Sequence, residues 1–323
     1  MKRLQAFGFL LVFLGVAALP LCATETGTFE RTLQVSGQVE LDVTSGAGNI
    51  KVHKGGSGSV HVYATIRARD SWFGSNPSEK VKKLQANPPI QQQGNSIRIG
   101  KIEDRDLQQN VSIDYDITTP AETKVTSQTG SGDQSIDDMQ LGVNARAGSG
   151  NVNVNNIGSD VRVRSGSGDL KITSVKGSLD AEAGSGNIRG RGIAGGISAS
   201  SGSGEIEMDQ AASGSVRAST GSGNVKLRGV NGTLKVDTGS GDITVDGNPT
   251  GDWRVAAGSG RIDLKVPSGA SFNIDAHTSS GSLRVNRQVT ADGGASHNRI
   301  QGKVGSGGVL VSLHTSSGDI HVD

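Results

Sequence analysis

Apolar and polar residues alternate along most of this chain, and the alternation restarts at a nearly fixed interval. After Gly166-Ser167-Gly168 comes Asp169-Leu170-Lys171-Ile172, with Leu170 and Ile172 on one side. A short corner, Ser174-Val175-Lys176-Gly177, leads to Leu179-Asp180-Ala181-Glu182-Ala183 and the next Gly-Ser-Gly. The same pairs recur at Val152/Val154, Ile206/Met208, Val225/Leu227, Ile243/Val245 and Ile262/Leu264, and in a second set at Val161/Val163, Ile197/Ala199, Leu234/Val236 and Val255/Ala257. Period-two alternation describes a strand with one buried and one wet face. Each interval therefore predicts two short strands and two corners.

Gly-Ser-Gly begins at Gly130, Gly148, Gly166, Gly184, Gly202, Gly221, Gly239, Gly258 and Gly305, with the first four intervals 18 residues long. Degenerate copies follow at Ser279-Ser280-Gly281 and Ser316-Ser317-Gly318. A constant period of this size is the signature of a solenoid. The expected fold class is all-β, a single-stranded β-helix or β-solenoid of about 18 residues per coil. One coil offers about five apolar side chains worth roughly 1.5–3 kcal/mol each when buried. Ordering its backbone costs about 1–2 kcal/mol per residue, so a lone coil does not hold. Stacked coils hydrogen-bond to their neighbours at about 4.8 Å spacing. Roughly eleven coils between Val125 and Val322 predict a rod on the order of 50 Å long.

Two reasons favour glycine at the corners. A tight corner calls for positive φ, and a side chain there would meet its own equivalent on the next coil. A small inner residue (Ala147, Ser165, Ala183, Ser201, Thr220, Thr238 or Ala257) precedes each corner, where the interior narrows. After the corner stand Asp133, Asn151, Asp169, Asn187, Glu205, Asn224, Asp242 and Arg261. Asp and Asn bond readily to nearby backbone N–H groups, so this row reads as a structural corner ladder. A calcium ladder is the sharper alternative, but Asn alternates with Asp, and Glu205 and Arg261 break the row.

The expected division is 1–23 as a signal peptide, 24–124 as a β-rich cap continuous with the solenoid, and 125–323 as the regular repeat. Within the cap, strands are predicted at Leu33–Val35, Val39–Val43, Ile50–Val52, Val60–Ile66, Ile97–Ile99 and Val111–Ile117. Asn76-Pro77-Ser78-Glu79 starts one short helix, with Pro in its first turn and Asn76 or Ser78 as its cap. Trp72 and Phe73 precede it; they either pack on the cap or form a contact loop for a partner or glycan.

At the N-terminus, Lys2 and Arg3 precede an apolar stretch from Ala6 to Leu19, then Pro20 and small residues. This describes a secretory signal, with cleavage expected after Ala23. Lipidation at Cys22 is the alternative, although Leu19-Pro20-Leu21 carries large residues where small ones belong. Cys22 is the only cysteine, so no internal disulfide is expected. No later segment is apolar enough to span a membrane, and the mature chain is placed in the periplasm, at the cell surface or outside the cell.

Composition narrows the function classes. The 49 glycines do not fall at every third position, which excludes collagen. Lys+Arg 32 against Asp+Glu 31 argues against a dedicated nucleic-acid binder. The histidines His53, His61, His277, His297, His314 and His321 show no zinc spacing. No nucleophile motif and no phosphate loop is found, so no cofactor, metal or catalytic residue is assigned and the chain is read as no enzyme. Asp180/Glu182 and Glu205/Glu207 share faces, and paired carboxylates can cleave glycosides; the alternative is an ordinary solvated strand face.

With its exported start, the run Val111-Ser112-Ile113-Asp114-Tyr115-Asp116-Ile117 leading to Pro120, and the Ser-Gly-[Asp/Asn]-Ile-x-Val copies after it, the chain resembles the bacterial putative-adhesin β-solenoid family of domains of unknown function. It is also similar to the head domains of autotransporter adhesins. The resemblance spans about residues 28–323 and implies a surface or envelope role, with no catalytic residues to carry over. The function expected is a non-catalytic exported scaffold presenting an elongated polar face to glycans or envelope proteins. A polysaccharide-active enzyme on the same scaffold is one alternative. The other is a self-assembling envelope protein, because Asp319-Ile320-His321-Val322-Asp323 reads as an uncapped strand edge that invites pairing.

Overall fold

The computed structural model describes residues 24–69, 76–291 and 296–323. The expected signal segment, Cys22 and the Trp72-Phe73 pair lie outside these. Two long sheets face one another across a single core, one of 14 strands and one of 15. Among the described residues each contains twelve strands in parallel register, one from every coil. A coil runs from the second sheet through a Gly-Ser-Gly corner into the first, then back through a second corner. Val143–Ala147, for example, is followed by Val152–Ile157 and then by Val161–Ser165.

Identical positions stack. In the second sheet Val143, Val161, Leu179, Ile197, Val216, Leu234, Trp253 and Val311 form one aliphatic and aromatic column. Val152, Leu170, Ile188, Ile206, Val225, Ile243, Ile262 and Ile320 form its counterpart in the first. All of these are buried, so the inward half of the alternation is the core.

Most corner glycines are required by contact and not by φ, although Gly241 and Gly260, the second glycines of the corners beginning at Gly239 and Gly258, also take φ of 148° and 151°. Both glycines of the corners beginning at Gly130, Gly148, Gly166, Gly184, Gly202 and Gly221 lack positive φ. A Cβ on Gly202 would instead lie 2.3 Å from the carbonyl oxygen of Gly184, and one on Gly204 2.0 Å from that of Gly186. Left-handed backbone sits elsewhere, in a column of Asp138, Asn156, Ser174, Gly192 and Gly229 with φ between 54° and 69°. Pairing runs Asn155 to Thr173 and then Ile157 to Val175, so Asn156 and Ser174 face each other as matched left-handed residues with the register kept. The left-handed residue interrupts the alternation and turns Ile157 and Val175 inward at the second corner, where both are buried. At the inner side of the Gly-Ser-Gly corner, buried Ser165 and Ser201 donate to the carbonyls of Gly150 and Gly186, each at 3.0 Å.

Both ends depart from chain order. At the N-terminal end the coil Val39–Ala47/Ile50–Lys54 lies inside Ser96–Ile99/Val111–Thr119, which is later in sequence but outermost among the parallel rungs. Ser59–Arg69 and Thr24–Gln34 then close that edge antiparallel. At the other end the chain skips one place to Phe272–Ser280/Leu283–Val285, adds antiparallel Arg299–Val304, and returns. Its last strands, Leu310–Ser317 and Ile320–Val322, fill the vacated place. The expected open edge at Asp319–Asp323 is therefore wrong: Ile320–Val322 is paired on both sides. Gly305-Ser306-Gly307 is likewise not a stacked corner but the turn that feeds this return, with φ of 60° and 76° at its glycines. With Val289–Ala291 and Arg299–Val304 diverted to the cap, ten coils and not eleven stack between Thr123 and Val322 among the described residues.

The predicted helix is α1 (Pro77–Ala86), and the Asn76 side chain accepts from the Ser78 N–H at its start. A second, one-turn helix, α2 (Arg105–Gln108), was not anticipated. Lys80 of α1 is buried and holds α2 by donating to the carbonyls of Asp106 and Gln109.

Candidate binding groove on the second sheet

Where each coil enters the second sheet, small or polar corner residues (Gly142, Asp160, Ser178, Gly196, Ser215 and Thr233) leave a continuous depression. Its floor is the aliphatic column from Val125 through Leu234, and its volume is about 810 Å³. One wall is a row of outward residues in direct register: Asn144, Arg162, Asp180, Ser198, Arg217 and Lys235, continued by Arg254. The groove runs with the stack, crossing one strand every 4.8 Å or so.

Charge along this wall is sorted. Arg162 Nε donates to Asp180 Oδ2 at 2.8 Å, and Arg164 lies 2.7 Å from Glu182 in the neighbouring row. Beyond neutral Ser198 come three cations on successive strands, Arg217, Lys235 and Arg254. Lys235 reaches Asp237 at 3.8 Å; among the described residues no carboxylate lies within ion-pair distance of Arg217 or Arg254. The whole-chain charge balance conceals this stretch.

The carboxylates weighed for catalysis are committed to arginines. Glu182 pairs with Arg164, Asp180 with Arg162, and Glu205 lies 3.9 Å from Arg189. On the first sheet Glu207 and Asp209 accept from Arg228 at 2.8 and 3.0 Å. The hydrogen bond from Arg228 holds the Glu207 carboxyl below the usual Glu range, while the same contacts push Arg228 up. A glycosidase acid needs the opposite displacement.

The corner row is a chain of side-chain-to-backbone bonds. Asp133 Oδ1 accepts from the N–H of Asn151, Asn151 from Asp169, Asp169 from Asn187 and Asn187 from Glu205, at 2.8–3.0 Å. Asn224 then accepts from Asp242, and Asp242 from Arg261. No such bond joins Glu205 to Asn224 among the described residues; the longer Glu carboxylate turns toward Arg189. These oxygens are occupied by backbone donors, and no group of three His, Cys, Asp or Glu among the described residues is placed to hold a metal ion.

Histidines pair with local partners. His53 lies 3.3 Å from Asp116, His61 2.7 Å from Glu30, and His321 3.0 Å from Asp323. His277 and His314 stack on adjacent strands with ring centroids 5.5 Å apart. This stack and the cation row join residues far apart in sequence. Writing the chain in its repeat columns would have displayed Arg217, Lys235 and Arg254 together, whereas the insertion that brings His314 beside His277 has no such signal.

The family model described as Toastrack DUF4097 matches residues 40–197 and 193–323. Among solved structures, a protein from Bacteroides fragilis described as a putative adhesin is 18% identical, with TM-score 0.35 over 92% of this chain and 97% of that one. A Parabacteroides distasonis protein described as a putative lipid binding protein is 15% identical, with TM-score 0.41 over the same shares. A putative cell adhesion protein from Clostridium sporogenes is 12% identical, with TM-score 0.19 over 92% and 99%. A comparison with curated proteins finds no match. Among the described residues, no helix is long and apolar enough to cross a membrane.

Proposed function

We propose, from the premise that this chain belongs to the Toastrack DUF4097 family, that it is a non-catalytic, exported scaffold whose groove binds an extended glycan carrying acidic groups. The observation that carries this reading is the row Arg217, Lys235 and Arg254, three cations on consecutive strands, the first two lining a long shallow groove and the third one strand beyond its end. A linear polymer can follow such a groove for several coils. Its hydroxyls meet Ser178, Ser198, Ser215 and Thr233, while its acidic groups meet the cations. Export rests on Lys2, Arg3 and the apolar run that follows. Neither alternative gains a supporting observation: the carboxylates are held by arginines, and the last strand is interior.

The test is a glycan array that includes neutral and uronate- or sulfate-bearing polysaccharides, probed with the full chain. Acidic members should bind in a salt-dependent way. Charge-assisted bonds are worth about 1.5–3 kcal/mol each, so the combined change Arg217→Ala, Lys235→Ala and Arg254→Ala should weaken binding about 100-fold or more at ~1.4 kcal/mol per tenfold. Equal binding of neutral and acidic glycans, or an unaffected triple variant, would overturn the proposal.

A further inference from the structure

We infer that the N-terminal end of the rod holds a second, separate binding pocket, for a small apolar molecule whose inner end carries a neutral carbonyl or hydroxyl oxygen. In the regular stack, a Cβ on the first glycine of a corner meets the corner beyond it; on Gly130 it would lie 2.4 Å from the Gly46 carbonyl oxygen. Gly46 holds the same position one coil further out, yet a Cβ there would meet nothing within 4 Å. The outermost parallel coil has no Gly-Ser-Gly corner. Between Ser96–Ile99 and Val111–Thr119 the chain instead makes the excursion Gly100–Asn110, which includes α2. The space of the missing corner is a pocket of about 330 Å³, near the lower end of the roughly 300–1,000 Å³ typical of ligand sites.

Ile102, Leu107, Val111 and Ile113 make its walls apolar. At its inner end stands Tyr115, 1% exposed, whose hydroxyl is buried and has no hydrogen-bond partner among the described residues. Ser45, which also lines the pocket, donates its hydroxyl proton to the carbonyl of Ile113 at 2.9 Å and is not bonded to Tyr115. A buried hydroxyl left without a partner is costly and calls for an acceptor. The one cationic side chain in the lining, Lys101, is exposed, so a carboxylate driven inward would be buried without a counter-charge. The inner oxygen of the ligand is therefore uncharged. Lys80, anchored to the carbonyls of Asp106 and Gln109, keeps α2 over the pocket.

Cyclohexanone and methyl hexyl ketone are suitable probes, with octanoate as the charged comparison, titrated into the full chain and followed by methyl NMR shifts of Ile102, Leu107 and Ile113. At least one ketone should bind and move these methyls. Tyr115→Phe should weaken it by about two- to tenfold, the worth of one neutral hydrogen bond. Gly46→Val should abolish binding while leaving the melting temperature close to the parent's, since its side chain enters open space. Without ligand, Tyr115→Phe should melt at or above the parent. The proposal is overturned if neither ketone moves the methyls at millimolar concentration, or if octanoate binds more tightly than both. It is also overturned if unliganded Tyr115→Phe melts several degrees lower, which would show the hydroxyl already satisfied by a resident water. The glycan result is independent of every one of these outcomes.

Discussion

Gly202→Val lowers the melting temperature by about 10 °C, corresponding to a loss of about 3–5 kcal/mol, whereas Gly46→Val leaves it nearly unchanged. The two glycines hold the same position in the repeat. Their difference is what lies above them: a Cβ on Gly202 would sit 2.3 Å from the Gly184 carbonyl oxygen, and one on Gly46 meets nothing within 4 Å. The Gly184 backbone cannot give way cheaply. Its N–H donates to the carbonyl of Ser165 at 2.9 Å, that of Ser185 donates to Gly166 at 3.1 Å, and that of Gly202 donates to Ala183 at 3.1 Å. Moving one carbonyl disturbs a ladder shared by three coils. Thermal melts of the two variants side by side decide the matter. Equal effects at both positions would mean that the glycines serve local conformation and not stacking.

Deleting residues 310–323 should destroy the C-terminal end of the rod while leaving the middle folded. Val311, Leu313, Ile320 and Val322 are each 1% exposed or less. At about 1.5–3 kcal/mol per buried side chain they contribute roughly 6–12 kcal/mol, comparable with the whole stability of a typical domain, about 5–15 kcal/mol. Their removal leaves Phe272–Ser280 and Leu283–Val285 with no inner neighbour, since both strands pair on that side only with the deleted ones. In a solenoid each coil depends on its immediate neighbours, so the damage stays local. Trp253 is 1% exposed and stacks directly on Val311, so its fluorescence should shift to the red. Hydrogen exchange should rise over residues 272–304 and stay slow over residues 143–210. A truncated chain with parental fluorescence and exchange would refute the interleaved order.

The repeat made the interior of this fold legible from sequence. The period, the alternation and the inward residues from Val125 to Leu264 follow from Gly-Ser-Gly spacing alone, because each coil copies the last and the same side chains must stack. The reason for the corner glycines was only half legible. Carbonyl contact between coils is the constraint common to the stacked corners; positive φ is added only at some of them, such as Gly241 and Gly260, while αL geometry falls on Asp138, Asn156 and Ser174. The ends were the least legible. Nothing local in Leu310–Val322 distinguishes a strand that continues a stack from one that fills a gap behind it. Buried polar residues escaped for a similar reason: Gln134 occupies a core column because it bonds to Ser127 across its own coil and to the Arg146 carbonyl of the next. For the groove, the cations were visible as residues but not as a row until the register placed them on consecutive strands.

The order of the stack is most directly measured by electron-spin distances. With Cys22→Ala as background, one label at Asn153→Cys is paired in turn with Thr244→Cys, Asp263→Cys, His321→Cys and Arg284→Cys, all exposed or half-buried positions of one outward row. The first three should lie about 24, 29 and 34 Å away and Arg284 about 38 Å, rising by one strand spacing of ~4.8 Å at each step. A distance to Arg284 shorter than that to His321, or a series without this constant step, would contradict the stacked and interleaved rod.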